Sequence, residues 1–156
     1  MKKIKKHIII IIFIALMIII TIGLISTSKQ NVEFWNELYN NHDFHYNLIT
    51  FNSVIAGFLF SGISILVSLI SNPSVKRLWD NGYLDNLYIS GGLGIILSII
   101  SIVMSFLIVL KFDFINKIYV YWTILEIVSA ISSLVLFVYC VKELMFSIKV
   151  IRRNNH

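Results

Sequence analysis

Apolar residues gather into four long runs along this chain, at about 8–25, 48–70, 88–110 and 118–140, and only Glu126 places a charge inside any of them. A bilayer core about 30 Å thick takes about 20 apolar residues in helical form, so each run is long enough to span one. Strands fit poorly. A closed barrel needs alternating polarity in segments of about 10 residues, which no run shows, and open sheet edges find no hydrogen-bond partners in lipid. The pattern therefore predicts an all-α protein, a single integral membrane four-helix bundle over residues 1–156. Asn72-Pro73 ends the second helix and Asp80-Asn81-Gly82 marks a turn before the third.

Composition agrees with lipid as the main solvent. The chain is 58% hydrophobic and 13% charged, against about 45–50% and about 25% in soluble domains. Cys140 is the sole cysteine, which excludes a disulfide scaffold. Lys2, Lys3, Lys5 and Lys6 before an apolar run, with Ser26-Thr27-Ser28 after it, have the outline of a signal peptide, but the run exceeds the usual apolar region of about 7–15 residues and favours an uncleaved anchor.

Orientation follows from Lys and Arg. Those four lysines, Lys76, Arg77, Lys142, Lys149, Arg152 and Arg153 fall on one side, and only Lys29, Lys111 and Lys117 on the other. The positive-inside rule then places both termini in the cytosol, in a multi-pass protein of the cytoplasmic (inner) membrane. The 31 Ile among 156 residues, with abundant Lys and Asn, suggest an AT-rich bacterial genome. A pI near 9.4 needs no nucleic acid, because basic residues at helix ends serve topology and anionic headgroups.

Membrane helices associate through small and hydroxylic residues that let backbones approach. On the second helix such a stripe is Ser53, Gly57, Ser61, Ser64, Ser68 and Ser71. Gly91, Gly94, Ser98, Ser101 and Ser105 form one on the third, and Thr123, Glu126, Ala130, Ser133 and Cys140 on the fourth. Their spacing of three and four implies left-handed packing. The first helix offers only Ala15, Thr21 and Gly23 and is expected at the periphery.

Glu126 is the costly residue. An acid in mid-span costs about 2.5–3.5 kcal/mol, which the apolar residues around it offset at about 0.3–0.6 kcal/mol each. It is expected near the bilayer middle, facing inward, with Ser101, Ser105 and Ser53 as its partners by depth. One reading makes it a protonated clamp between helices; the other makes it a binding group for a proton or cation coupled to a solute.

In the first loop, Trp35 sits among Val32, Phe34, Leu38 and Tyr39, which reads as a short helix at the outer headgroups. His42, Asp43 and His45 follow, and with Glu37 a metal site is conceivable, but two His three apart without a second cluster read more simply as solvated loop residues. Lys76, Arg77 and Trp79 suit an amphipathic return along the inner surface. The sequence carries none of the familiar catalytic motifs and implies no metal or cofactor. It points to a non-enzymatic membrane component that acts by helix association with itself or a partner, as immunity, defence or accessory proteins do. The rival is a small ion- or proton-linked transporter or holin-like pore former that uses Glu126.

Overall fold

The computed structural model describes residues 2–28, 30–82 and 84–154, the side chains of 2–12, 14, 16, 74, 113, 116 and 150–154 excepted. Every regular element among them is helical: α1 (Lys2–Ser28), α2 (Val32–Asn40), α3 (His42–Ser68), α4 (Pro73–Asp80), α5 (Asp85–Val109), α6 (Asp113–Asn116) and α7 (Tyr119–Asn154), with a 3-10 turn at Leu69–Ser71. Three segments are long and apolar enough to cross a membrane: His42–Ser71, Asp85–Val109 and Tyr119–Lys149. The apolar stretch of α1 among the described residues, Met17–Ser28, is shorter. Residues 8–12, 14 and 16 of the expected first span, the Lys2, Lys3, Lys5 and Lys6 tail, Lys29, Arg152 and Arg153 lie outside the described side chains.

α5 is the middle of the molecule, packed between α3 and α7, while α1 lies along α7. The reason is legible in its side chains. α5 buries Leu87, Ser90, Gly91, Gly94, Ser98, Ser101, Ser105 and Ile108, a three-and-four repeat of mostly small residues that admits a helix on either side. A Cβ on Gly91 would lie 2.8 Å from Ile63 Cδ1, and one on Gly94 would lie 2.7 Å from Leu59 Cδ1. The glycines are holes and the side chains of α3 are the knobs. α7 meets the other flank with Thr123, Glu126, Ala130, Ser133 and Cys140, all buried.

α3 corrects an expectation. Its buried residues are His45, Asn52, Ile55 and Leu59, whereas Ser53, Gly57, Ser61, Ser64 and Ser68 stand on its exposed face. Nothing lies within 4 Å of where a Cβ on Gly57 would be. The physical cause is complementarity, since a seam that is already small on α5 needs bulk from α3.

The connections close both ends of the core. α3 starts at His42, six residues before the expected span, with the Asn41 side chain accepting the Phe44 N–H at 3.1 Å as its N-cap. α2 turns Trp35 and Tyr39 inward. Trp35 is 4% exposed and packs on Ile124 and Val128 of α7 and on Met17, Ile20 and Leu24 of α1, so it is a plug in the helix seam and not the headgroup anchor expected of it. At the other end, α4 buries Val75 and Leu78 against Leu84 and leaves Lys76, Arg77 and Trp79 exposed. Gly82, at φ +70, makes the left-handed turn into α5.

Candidate functional site

Under α2, where α3, α5 and α7 converge, two ionisable side chains meet in complete burial. His45 and Glu126 are each 0% exposed, and His45 Nδ1 lies 2.9 Å from Glu126 Oε1 and 3.0 Å from Oε2. The other ring nitrogen, Nε2, is 3.1 Å from the carbonyl oxygen of Tyr39. A carbonyl only accepts, so Nε2 carries a proton, and a second proton is shared between Nδ1 and the carboxyl group. Its near-equal distances to both oxygens suit one N–H forked across a carboxylate. With the proton on either partner the pair has no net charge, which is how the core tolerates it.

Other polar groups complete the shell. The Ser105 hydroxyl donates to Glu126 Oε1, with the Ser101 carbonyl as its second acceptor at 3.0 Å. Ser101 in turn donates to the backbone carbonyl of Glu126 at 3.1 Å. Asn52 then ties three helices: its Nδ2 donates to Ser101 Oγ at 3.0 Å and to the Leu48 carbonyl at 2.9 Å, and its Oδ1 accepts from Ser133 Oγ at 2.9 Å. The resulting network runs from the Tyr39 carbonyl to Ser133 without leaving the interior. Ser98 Oγ, one turn nearer the start of α5, is buried and has no hydrogen-bond partner among the described residues.

Below it the polarity stops. Leu59, Gly94 and Leu136 meet there, and the next polar contact is Ser90 Oγ to Cys140 Sγ at 3.1 Å, near the start of α5. The network is thus bounded by α2 on one side and by an apolar layer on the other.

Set beside protein-family models, curated proteins and solved structures, the chain matches none. Its chemistry is read from its own residues.

Of the partners expected for Glu126, Ser105 contacts the carboxylate and Ser101 its backbone. Ser53 is not one of them: it is exposed and donates to the Ile49 carbonyl at 2.7 Å. Two residues that matter most were missed, His45 and Asn52. Hydropathy assigned His45 to a loop, yet His45, Asn52, Ile55 and Leu59 recur on one face of α3, and Asn41 before His42-Asp43 is a capping signal. His45 is held by Glu126, and no cluster of metal-ligating side chains occurs among the described residues. Glu126 lies about 10 Å from the start of α7 at 1.5 Å per residue and pairs with the first turn of α3.

Asn52 yields a direct test. Asn52→Leu removes its own bonds to Ser101 of α5 and Ser133 of α7, but Ser101 keeps the Glu126 carbonyl and Ser133 keeps the Ala130 carbonyl at 2.8 Å. The expected loss is therefore modest, about 1 kcal/mol in unfolding from mixed micelles, because interhelical hydrogen bonds in membranes average about 0.6 kcal/mol.

Proposed function

We propose that this is a small multi-pass membrane protein, a four-helix bundle with both termini in the cytosol, which acts through helix association and not through catalysis. Its first partner is a second copy of itself. The observation that carries the reading is the self-containment of the polar core. His45, Glu126, Ser105, Ser101, Asn52 and Ser133 bond one another, and none of them lines the clefts between α3 and α5, between α1 and α7 or beneath α2. The outward face of α3 adds to it. Ser53, Gly57, Ser61, Ser64 and Ser68 spend small residues on a surface left exposed by the described residues, where backbone approach by another helix is favourable and lipid gains nothing.

Energy transfer between donor- and acceptor-labelled copies in vesicles tests it. Transfer above the level of random encounter, lost on dilution with lipid, is expected for the wild type. Gly57→Ile is expected to reduce it severalfold with unchanged helicity, since a Cβ there touches nothing within the chain. Transfer at the random level in the wild type contradicts the proposal.

A second reading keeps a specific observation in its favour: the proton shared by His45 and Glu126 is exchangeable chemistry in an otherwise apolar setting. In that reading the pair loads a proton for a small transporter or pore. It requires the apolar layer at Leu59, Gly94 and Leu136 to open, and an imposed pH gradient distinguishes the two.

A further inference from the structure

The end of the molecule opposite the His45–Glu126 pair has a different character. α4 lies across it as a short amphipathic helix, pinned by Val75 and Leu78 against Leu84. Its Lys76 and Arg77 side chains are exposed, and neither has an ion-pair partner among the described residues. Trp79 stands edge-to-face with Tyr88 of α5, ring centroids 6.1 Å apart, both partly exposed. Against these rings lies a narrow apolar slit between α3 and α5 with room for about one water molecule, lined by Ile63, Leu66, Val67, Leu84 and Leu87 together with the two aromatics. A second cleft shares Ile63, Leu66 and Leu87 with it and continues along α7 past Cys140. α7 carries Lys142 and Lys149, both exposed, at and beyond that level.

Each feature alone is ordinary. Together they present a cationic rim, an aromatic pair that suits the boundary between headgroup and acyl chain, and an apolar slot leading inward, in the order in which a phospholipid presents phosphate, glycerol and chain. The acidic residues of this end, Asp80, Asp85 and Glu143, are fewer than its cations, and Asp80 shares the exposed flank of α4 with Lys76 without pairing to it.

We propose that this end of the molecule is a binding site for an anionic phospholipid, the phosphate held by Lys76 and Arg77 and an acyl chain laid along the wider cleft of α3, α5 and α7 that Leu66 lines beyond Trp79 and Tyr88. The site is independent of the association reading, and of which way the protein faces when both leaflets have the same composition.

The experiment uses the full chain in nanodiscs of equal phosphatidylglycerol and phosphatidylcholine, released in the gas phase so that retained lipids are counted by native mass spectrometry. The expected result is retained phosphatidylglycerol in excess over phosphatidylcholine by at least about fivefold, the worth of one basic side chain at an anionic surface. Lys76→Gln with Arg77→Gln brings the ratio to about one, and Lys111→Gln with Lys117→Gln, at the other end, leaves it in place. Leu66→Trp, which fills the cleft, lowers retention while the cations remain. Equal retention of the two lipids by the wild type overturns the proposal, as does a ratio unmoved by Lys76→Gln with Arg77→Gln. Loss of the bound lipid on adding millimolar inorganic phosphate assigns the cations to a free anion and also overturns it.

Discussion

Glu126→Ala is expected to destabilise the helical core by about 3 kcal/mol, the low end of the cost of breaking a buried ion pair. The change strands His45 at 0% exposure, with Nε2 still donating to Tyr39 and nothing to face Nδ1. The imidazole keeps one of its two partners, which is why the loss falls at the low end. His45→Ala is worse in kind, because it leaves a carboxyl group that keeps only the Ser105 hydroxyl. The double replacement His45→Leu with Glu126→Leu should return to within about 1 kcal/mol of the wild type, because apolar side chains of similar volume substitute well for buried ion pairs. Unfolding from mixed micelles measures the two Ala variants and, to close a double-mutant cycle, the wild type, His45→Leu, Glu126→Leu and the double Leu variant. A coupling energy of about 2 kcal/mol or more is expected from the cycle, and simple additivity of the single losses would show that the two side chains do not act as a pair.

The other large effect is steric. Gly94→Val is expected to cost about 2–3 kcal/mol, as overpacking of a well-filled seam does. Its first added carbon falls 2.7 Å from Leu59 Cδ1 and 3.5 Å from Leu136 Cβ. The Leu59 methyl is the end of a flexible side chain and can swing aside. Leu136 Cβ is fixed to the α7 backbone and cannot, so a branched residue drives α5 from α7, across the larger of its two seams. Gly94→Ala should cost much less, about 1 kcal/mol or below, because only the Leu59 end has to yield. Gly57→Val should leave monomer stability unchanged, because nothing lies within 4 Å of its Cβ position. Should Gly94→Val unfold no more readily than Gly57→Val, the seam between α5 and its neighbours is not where the glycines place it.

These contrasts show what the sequence made legible. Long apolar runs placed the spanning helices α3, α5 and α7, because the cost of unsatisfied backbone in lipid leaves so few alternatives, but not their ends, since α3 begins six residues early and α7 runs on to Asn154. The buried face of α5 could be read from small residues at spacing three and four, since helices press on it from two sides. The same rule misread α3. A contact between helices needs one side small and one side large, and where α5 supplies Gly91 and Gly94, α3 answers with Ile63 and Leu59. No periodicity argument on a single helix tells which of its two faces plays which part. His45 escaped for a related reason. Hydropathy ended the span at the first polar cluster, although a polar first turn with an Asn N-cap belongs to the same helix. Its partner lies 81 positions away, at Glu126. Trp35 shows the limit of amphipathicity as a guide, for the same apolar face that would rest on headgroups rests instead on α7 and α1.

In the proposed function, His45 and Glu126 form a closed clamp and not a conduit. Vesicles holding the reconstituted protein and an internal pH-sensitive dye, given an imposed pH gradient, test it most directly. The clamp account expects the gradient to persist as long as in protein-free vesicles, with Glu126→Gln equally silent. A gradient that collapses through the wild type and is preserved by Glu126→Gln would contradict it.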